Sequence, residues 1–159
     1  MFLKTNSFIY LYIQHRNTNM KTLYTAVATA TGGRNGHVSS DNGVLDLQVR
    51  PPKVMGGPSD EYTNPEQLFA AGYSACFDSA LNHVIRTEKL KTGETSVTAH
   101  VSIGSIENGG FGLAVELGIN IPDVSIEEAN RIAERAHQVC PYSNATRNNI
   151  EVKLTTTNY

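Results

Sequence analysis

Apolar residues recur along this chain with two different periods, and the changes of period lay out its elements. Residues 22–31 alternate in period two and are rich in Thr, Ala and Val, the pattern of a strand. Gly32-Gly33-Arg34-Asn35-Gly36 interrupts the run. Shorter strand-like stretches follow at residues 37–39 and 44–49, with Asn42-Gly43 between them as a hairpin turn. Pro51-Pro52 ends this region, and a Gly/Pro-rich loop over residues 55–63 leads to a change of period. From Asn64 the pattern is helical and continues to about Leu90, a rod of roughly 24 residues and about 36 Å. Asn64 is a good N-cap, Pro65 at the first helical position gives up an N–H that would be orphaned anyway, and Glu66 lies where the helix dipole favours a carboxylate. Between Leu68 and Phe77 nearly every position is apolar, which predicts a helix covered on all sides.

Period two returns after Thr92-Gly93. Val97, Ala99, Val101 and Ile103 share one strand face, and Leu113, Val115, Leu117, Ile119 and Ile121 share another, with Asn108-Gly109-Gly110 as the turn. Ser125-Ile126-Glu127-Glu128 has capping-box form and opens a second helix with Ile126, Ala129, Ile132, Ala133 and Ala136 inward. Pro141 ends it near Cys140. Residues 143–148 supply one more turn, and residues 150–154 a last strand. Three strands, helix, two strands, helix, strand, with hairpins outnumbering crossovers, predict an α+β fold with largely antiparallel sheets around a long central helix.

A chain of 159 residues forms one domain, read as residues 20–159. Residues 1–19 are read as an N-terminal extension with Met20 as the working start, an extra edge strand being the alternative. Their apolar run, Phe8-Ile9-Tyr10-Leu11-Tyr12-Ile13, is too short for a signal core or a membrane span. The net charge of −2 gives no reason to expect nucleic acid or an anionic membrane as a partner. Two cysteines are too few for a secreted disulfide scaffold and suit a reducing, cytoplasmic setting.

The cysteines are also the main candidates for chemistry, although buried cysteine is more often inert. Cys76 falls in the middle of the apolar helix, where a thiolate needs a cation to form; Cys140 falls at a helix end before proline, where the backbone can rearrange. A zinc set of Cys76, His83, His137 and Cys140 can be written, but two helical turns, about 10 Å, separate Cys76 from His83, and no metal is expected. Arg34 by itself is an exposed basic turn residue; a functional role requires an anion to face, such as a thiolate. Glu66 is explained by capping electrostatics, or it fixes an arginine in a bidentate pose. Asn144-Ala145-Thr146 is read as a chance glycosylation sequon.

Asn64-Pro65-Glu66-Gln67-Leu68-Phe69-Ala70-Ala71-Gly72-Tyr73-Ser74-Ala75-Cys76-Phe77, with Val139-Cys140-Pro141-Tyr142-Ser143-Asn144-Ala145-Thr146-Arg147, closely resembles the organic hydroperoxide resistance (Ohr) branch of the Ohr/OsmC family. Leu23-Tyr24-Thr25-Ala26 and Thr31 to Gly36 also fit. The resemblance implies an OsmC-like fold, an intertwined homodimer with two sites at the subunit interface, and a thiol peroxidase acting on organic (alkyl, lipid) hydroperoxides. It makes Cys76 the peroxidatic and Cys140 the resolving cysteine, Arg34 the stabiliser of thiolate and peroxide, and Glu66 the residue that orients Arg34. No bound cofactor is implied; the reductant would be an external dithiol, dihydrolipoamide or a lipoylated protein. Phe69, Tyr73, Phe77 and Phe111 are the candidates for an apolar substrate wall, each reading equally well as plain core. Glu66 and Cys76 lie about 15 Å apart along a continuous helix, so unless the helix breaks near Gly72 the expectation is that each site draws on both subunits. The rival from another class is a hydrophobic-ligand-binding or structural dimer that keeps the same fold.

Overall fold

The computed structural model describes residues 20–107 and 109–159. The expected extension over residues 1–19, and Asn108 of the expected turn, lie outside the described residues. The described residues form two three-stranded sheets and a long helix that packs on the second of them. The first contains β1 (Ala28–Thr31), β2 (His37–Ser40) and β3 (Asp46–Gln48), paired antiparallel in that order. α1 (Pro65–Thr87) follows, then β4 (Ser96–Ser105), β5 (Phe111–Asn120), α2 (Ile126–Val139), α3 (Pro141–Thr146) and β6 (Val152–Thr157). β4 and β5 pair antiparallel from Ser96↔Asn120 to Ser105↔Phe111, and β6 returns parallel to β5 with Val115 opposite Val152. The parallel return needs a crossover, which α2 and α3 provide. The architecture is α+β, as expected.

The core forms where α1 and α2 lie on the second sheet. Val115, Leu117 and Ile119 of β5 point inward at every second position and meet Tyr73, Phe77 and Leu81 of α1 and Ile132 and Ala136 of α2. Glu116 and Gly118 between them take the other face, which is the alternation that fixes strand register.

Three expectations change. The first strand spans Ala28–Thr31 rather than residues 22–31, because its partner β2 ends opposite Ala28 at Ser40. Leu23 and Tyr24 stay 92% and 80% exposed in the single chain. The last strand is Val152–Thr157 rather than residues 150–154: Asn148 in a left-handed conformation and Ile150 bonded back to the Thr146 carbonyl still belong to the turn leaving α3. Finally, α1 is not covered on all sides. Ala71, Ala75 and Ser79 form an exposed stripe at helical spacing, since one chain packs only the opposite face on the sheet and α2. The run reads as apolar all round because its outer face is built of alanine.

Candidate functional site

α1 positions two of the four expected site residues. The Asn64 side chain accepts the Gln67 N–H at 2.9 Å, closing the helix start one turn before the chain becomes apolar. That cap fixes Glu66 in the first turn. Arg34 comes from the tight turn between β1 and β2. Gly32 and Gly33 adopt positive φ there, and a Cβ on Gly36 would lie 1.8 Å from the Thr31 carbonyl oxygen, so only glycine fits. The turn projects Arg34 back to α1, where its two terminal nitrogens donate to the Glu66 carboxylate at 2.8 and 2.5 Å. This is the bidentate fork that guanidinium and carboxylate geometry favours. The Arg34 hydrogen bonds hold the Glu66 carboxyl below the ordinary carboxylate value, against the opposing effect of burial.

Arg50, which no pattern along the chain singles out, supports this turn. Its guanidinium donates to the carbonyls of Gly36 and Val49 at 2.8 and 2.7 Å and lies 5.3 Å from the centre of the Tyr62 ring.

The other two residues meet elsewhere. Cys140 is fully buried between α2 and α3, with extended backbone before Pro141. Its Sγ lies 3.6 Å from Sγ of half-buried Cys76, and both thiols are free. A disulfide needs about 2.05 Å, so the two thiols are in contact without being joined. Burial pushes the Cys76 thiol above its ordinary pKa, partly offset by the backbone N–H of Tyr142. No positive charge acts on it among the described residues.

Within one chain the pairs stay apart. Arg34, Glu66, Phe69 and Phe111 line a groove of about 320 Å³. Cys76, Ser79, His83, Val139 and Pro141 line another of about 380 Å³. Of the expected apolar wall, Phe69 and the 75% exposed Phe111 stand beside Arg34. Tyr73 and Phe77 do not: both are fully buried core residues with no surface to offer a substrate, because their helical positions face the sheet and α2. Among the described residues no group of three or more His, Cys, Asp or Glu side chains is placed to hold a metal, and no helix is long and apolar enough to cross a membrane.

A long capped helix laid on a mixed sheet, with two thiols facing each other across α1 and α3, defines a class of small α+β thiol proteins. The OsmC-like protein family matches residues 57–155. An organic hydroperoxide resistance protein of Xanthomonas axonopodis pv. citri (strain 306) is 53% identical over 136 residues, 85% of this chain and 95% of that protein. The crystal structure of an organic hydroperoxide resistance protein from Elizabethkingia anophelis superposes with a TM-score of 0.85 at 74% identity, covering 88% of this chain and all 100% of that one. OhrB of Bacillus subtilis superposes at 0.78 with 44% identity over 86% and 100% of the two chains. The chain belongs to the OsmC-like family and, within it, to the organic hydroperoxide resistance branch.

Proposed function

We propose that this protein is a thiol-dependent peroxidase that reduces organic hydroperoxides to alcohols. The observation that carries the reading is the meeting of two free thiols, Cys76 and Cys140, at 3.6 Å. The Cys76 thiolate attacks the distal peroxide oxygen; the O–O bond breaks, the alkoxide leaves and takes a proton, and Cys76 becomes a sulfenic acid. Cys140 then attacks the Cys76 sulfur, the S–O bond breaks, and hydroxide leaves as water with the Cys140 proton. The product is a Cys76–Cys140 disulfide. An external dithiol, dihydrolipoamide or a lipoylated protein, reopens it by exchange and is itself oxidised to a disulfide. Phe69 and Phe111, beside Arg34, offer an apolar surface to the alkyl part of the substrate.

The working unit is a homodimer in a reducing, cytoplasmic setting, with Arg34 and Glu66 of one chain serving Cys76 of the other. Three features support this. The two half-sites line separate grooves of one chain. Cys76 is desolvated, with no cation among the described residues to stabilise its thiolate. The alanine stripe of α1 lies open beside it. Arg34 then lowers the thiol pKa and polarises the peroxide, while Glu66 keeps its fork aimed. The names of the relatives support the substrate class.

Mixed dimers of Glu66→Ala and Cys76→Ser chains test the arrangement. Shared sites leave one intact site per mixed dimer and roughly half the activity, by counting sites; sites built within one chain leave none. The chemistry is tested by treating the reduced protein with an organic hydroperoxide and resolving it on a non-reducing gel. An intramolecular disulfide and loss of turnover in Cys76→Ser are expected. Full activity in Cys76→Ser would sink the peroxidase reading and favour a binding or structural dimer.

A further inference from the structure

A second contact between the cysteine-bearing elements lies one helical turn from each cysteine. Tyr73 precedes Cys76 by a turn on α1, and Ser143 follows Cys140 by a turn on α3. The Tyr73 hydroxyl lies 3.0 Å from Oγ of Ser143 and 3.2 Å from Oγ1 of Thr146. All three residues are buried, Tyr73 and Ser143 with no exposed surface. The Thr146 hydroxyl also reaches the carbonyls of Tyr142 and Ser143 at 3.0 and 3.2 Å. One assignment gives each hydroxyl proton a partner: Ser143 donates to Tyr73, Tyr73 to Thr146, and Thr146 to the backbone. A short helix of six residues is thus tied to α1 by a fully satisfied polar chain inside an apolar core.

The aromatic surroundings hold the same register. The Tyr142 ring lies over Gly72 and contacts Phe69 and Tyr73 at centroid distances of 6.2 and 5.7 Å. A Cβ at Gly72 would come within 3.0 Å of the Tyr142 hydroxyl. These contacts place α3 along α1, and the directional ones between the two helices are the backbone N–H of Tyr142 toward Cys76 and, one turn away, the hydroxyl chain. Ring packing alone tolerates small slides; a hydrogen bond within the core does not.

We infer that Tyr73 is a positioning residue for the second chemical step: its hydroxyl, held by Ser143 and Thr146, sets Cys140 at attacking distance from Cys76. The inference rests on the peroxidase reading above. Resolution competes with a second peroxide molecule for the sulfenic acid. Attack by Cys140 expels water and gives the disulfide, whereas attack on another hydroperoxide transfers its oxygen to sulfur, giving sulfinic acid and a second alcohol. Geometry at Cys140 decides that partition. Geometry at Arg34 and Glu66 decides the first step, which the hydroxyl chain does not touch.

Tyr73→Phe removes one oxygen and keeps the ring. The measurement follows the reduced protein after mixing with cumene hydroperoxide, by stopped flow for each step and by intact mass for the products. Loss of Cys76 thiol should stay within about twofold of wild type. Disulfide formation should slow by about 10- to 100-fold, as expected for a reacting group misplaced by up to 1 Å. The sulfinic fraction should rise with peroxide concentration far below the level wild type requires. Thr146→Val, which leaves Tyr73 in place but removes its acceptor, should shift the partition in the same direction. If Tyr73→Phe resolves at the wild-type rate, or if both steps slow equally alongside a lowered melting temperature, the positioning role is refuted. If wild type itself forms no disulfide, the peroxidase reading fails and takes this inference with it, so the two failures are told apart by the wild-type trace.

Discussion

Replacing Glu66 by glutamine tests the arginine fork more sharply than deleting it. The carboxylate accepts from both terminal nitrogens of Arg34, at 2.8 and 2.5 Å. Glutamine retains one acceptor oxygen and turns an NH2 donor toward the second guanidinium nitrogen, so one hydrogen bond is lost and two donors face each other. A hydrogen bond to a charged group is worth about 1.5–3 kcal/mol. Arg34 keeps 38% of its side-chain surface exposed and Glu66 13%, so water screens part of this and about 1–2 kcal/mol of orientation is expected to go. That corresponds to a factor of about 5–30. The assay is the second-order rate of Cys76 oxidation by an alkyl hydroperoxide, read by stopped flow on reduced protein, with the unfolding midpoint measured in parallel. The rate should fall by that factor while stability changes by less than about 1 kcal/mol, as for other partly exposed ion pairs. A Glu66→Gln protein that oxidises at the wild-type rate would refute the claim that the fork orients Arg34 for chemistry.

Arg34→Gln, made with Cys140→Ser so that one thiol is read, should move the pH midpoint of Cys76 alkylation upward by about 1–3 units, the usual effect of removing an opposite charge near an ionised group; an unmoved midpoint would show that Arg34 never faces the thiol. Glu66 is held below its ordinary pKa in the folded chain, so in the acid range the unfolded state binds more protons and stability rises with pH. The contribution of Glu66 is therefore complete above the ordinary carboxylate value and lost as pH falls through its lowered folded value; thermal melts of Glu66→Gln should lack that part of the acid dependence. Leu117→Ala, at a position with no exposed surface, should cost about 2–5 kcal/mol in denaturant unfolding while the Cys76–Cys140 disulfide still forms under peroxide. A loss below about 1 kcal/mol would mean that β5 does not centre the core as described.

The local signals in the sequence had local causes, and these held. Asn64-Pro65 starts α1 because capping is settled within a few residues, and Ser125 accepts the Glu128 N–H at the start of α2 for the same reason. Asn42-Gly43 turns the hairpin between β2 and β3, where Leu45 reaches back to Ser40. The alternation of β5 named Val115, Leu117 and Ile119 as inward because a strand has only two faces. The cysteines and the Arg34-Glu66 pair were legible as residue types and as a family resemblance. Their spatial grouping was not.

Tertiary structure decided which residues meet and which remain open. Cys76 and Cys140 are 64 positions apart, and only the crossover of β6 back beside β5 brings α3 onto α1. Tyr73 and Phe77 read equally well as pocket wall or as core; the packing of α2 made them core. Ser143 and Thr146 looked like ordinary turn residues until folding placed both against Tyr73. The same run of small and apolar residues that reads as a buried rod leaves Ala71, Ala75 and Ser79 exposed, because periodicity reports which side chains can be covered and not what covers them. A sequence specifies its caps, turns and faces through contacts a few residues long. The partners of those faces depend on long-range closure, which only the folded chain supplies.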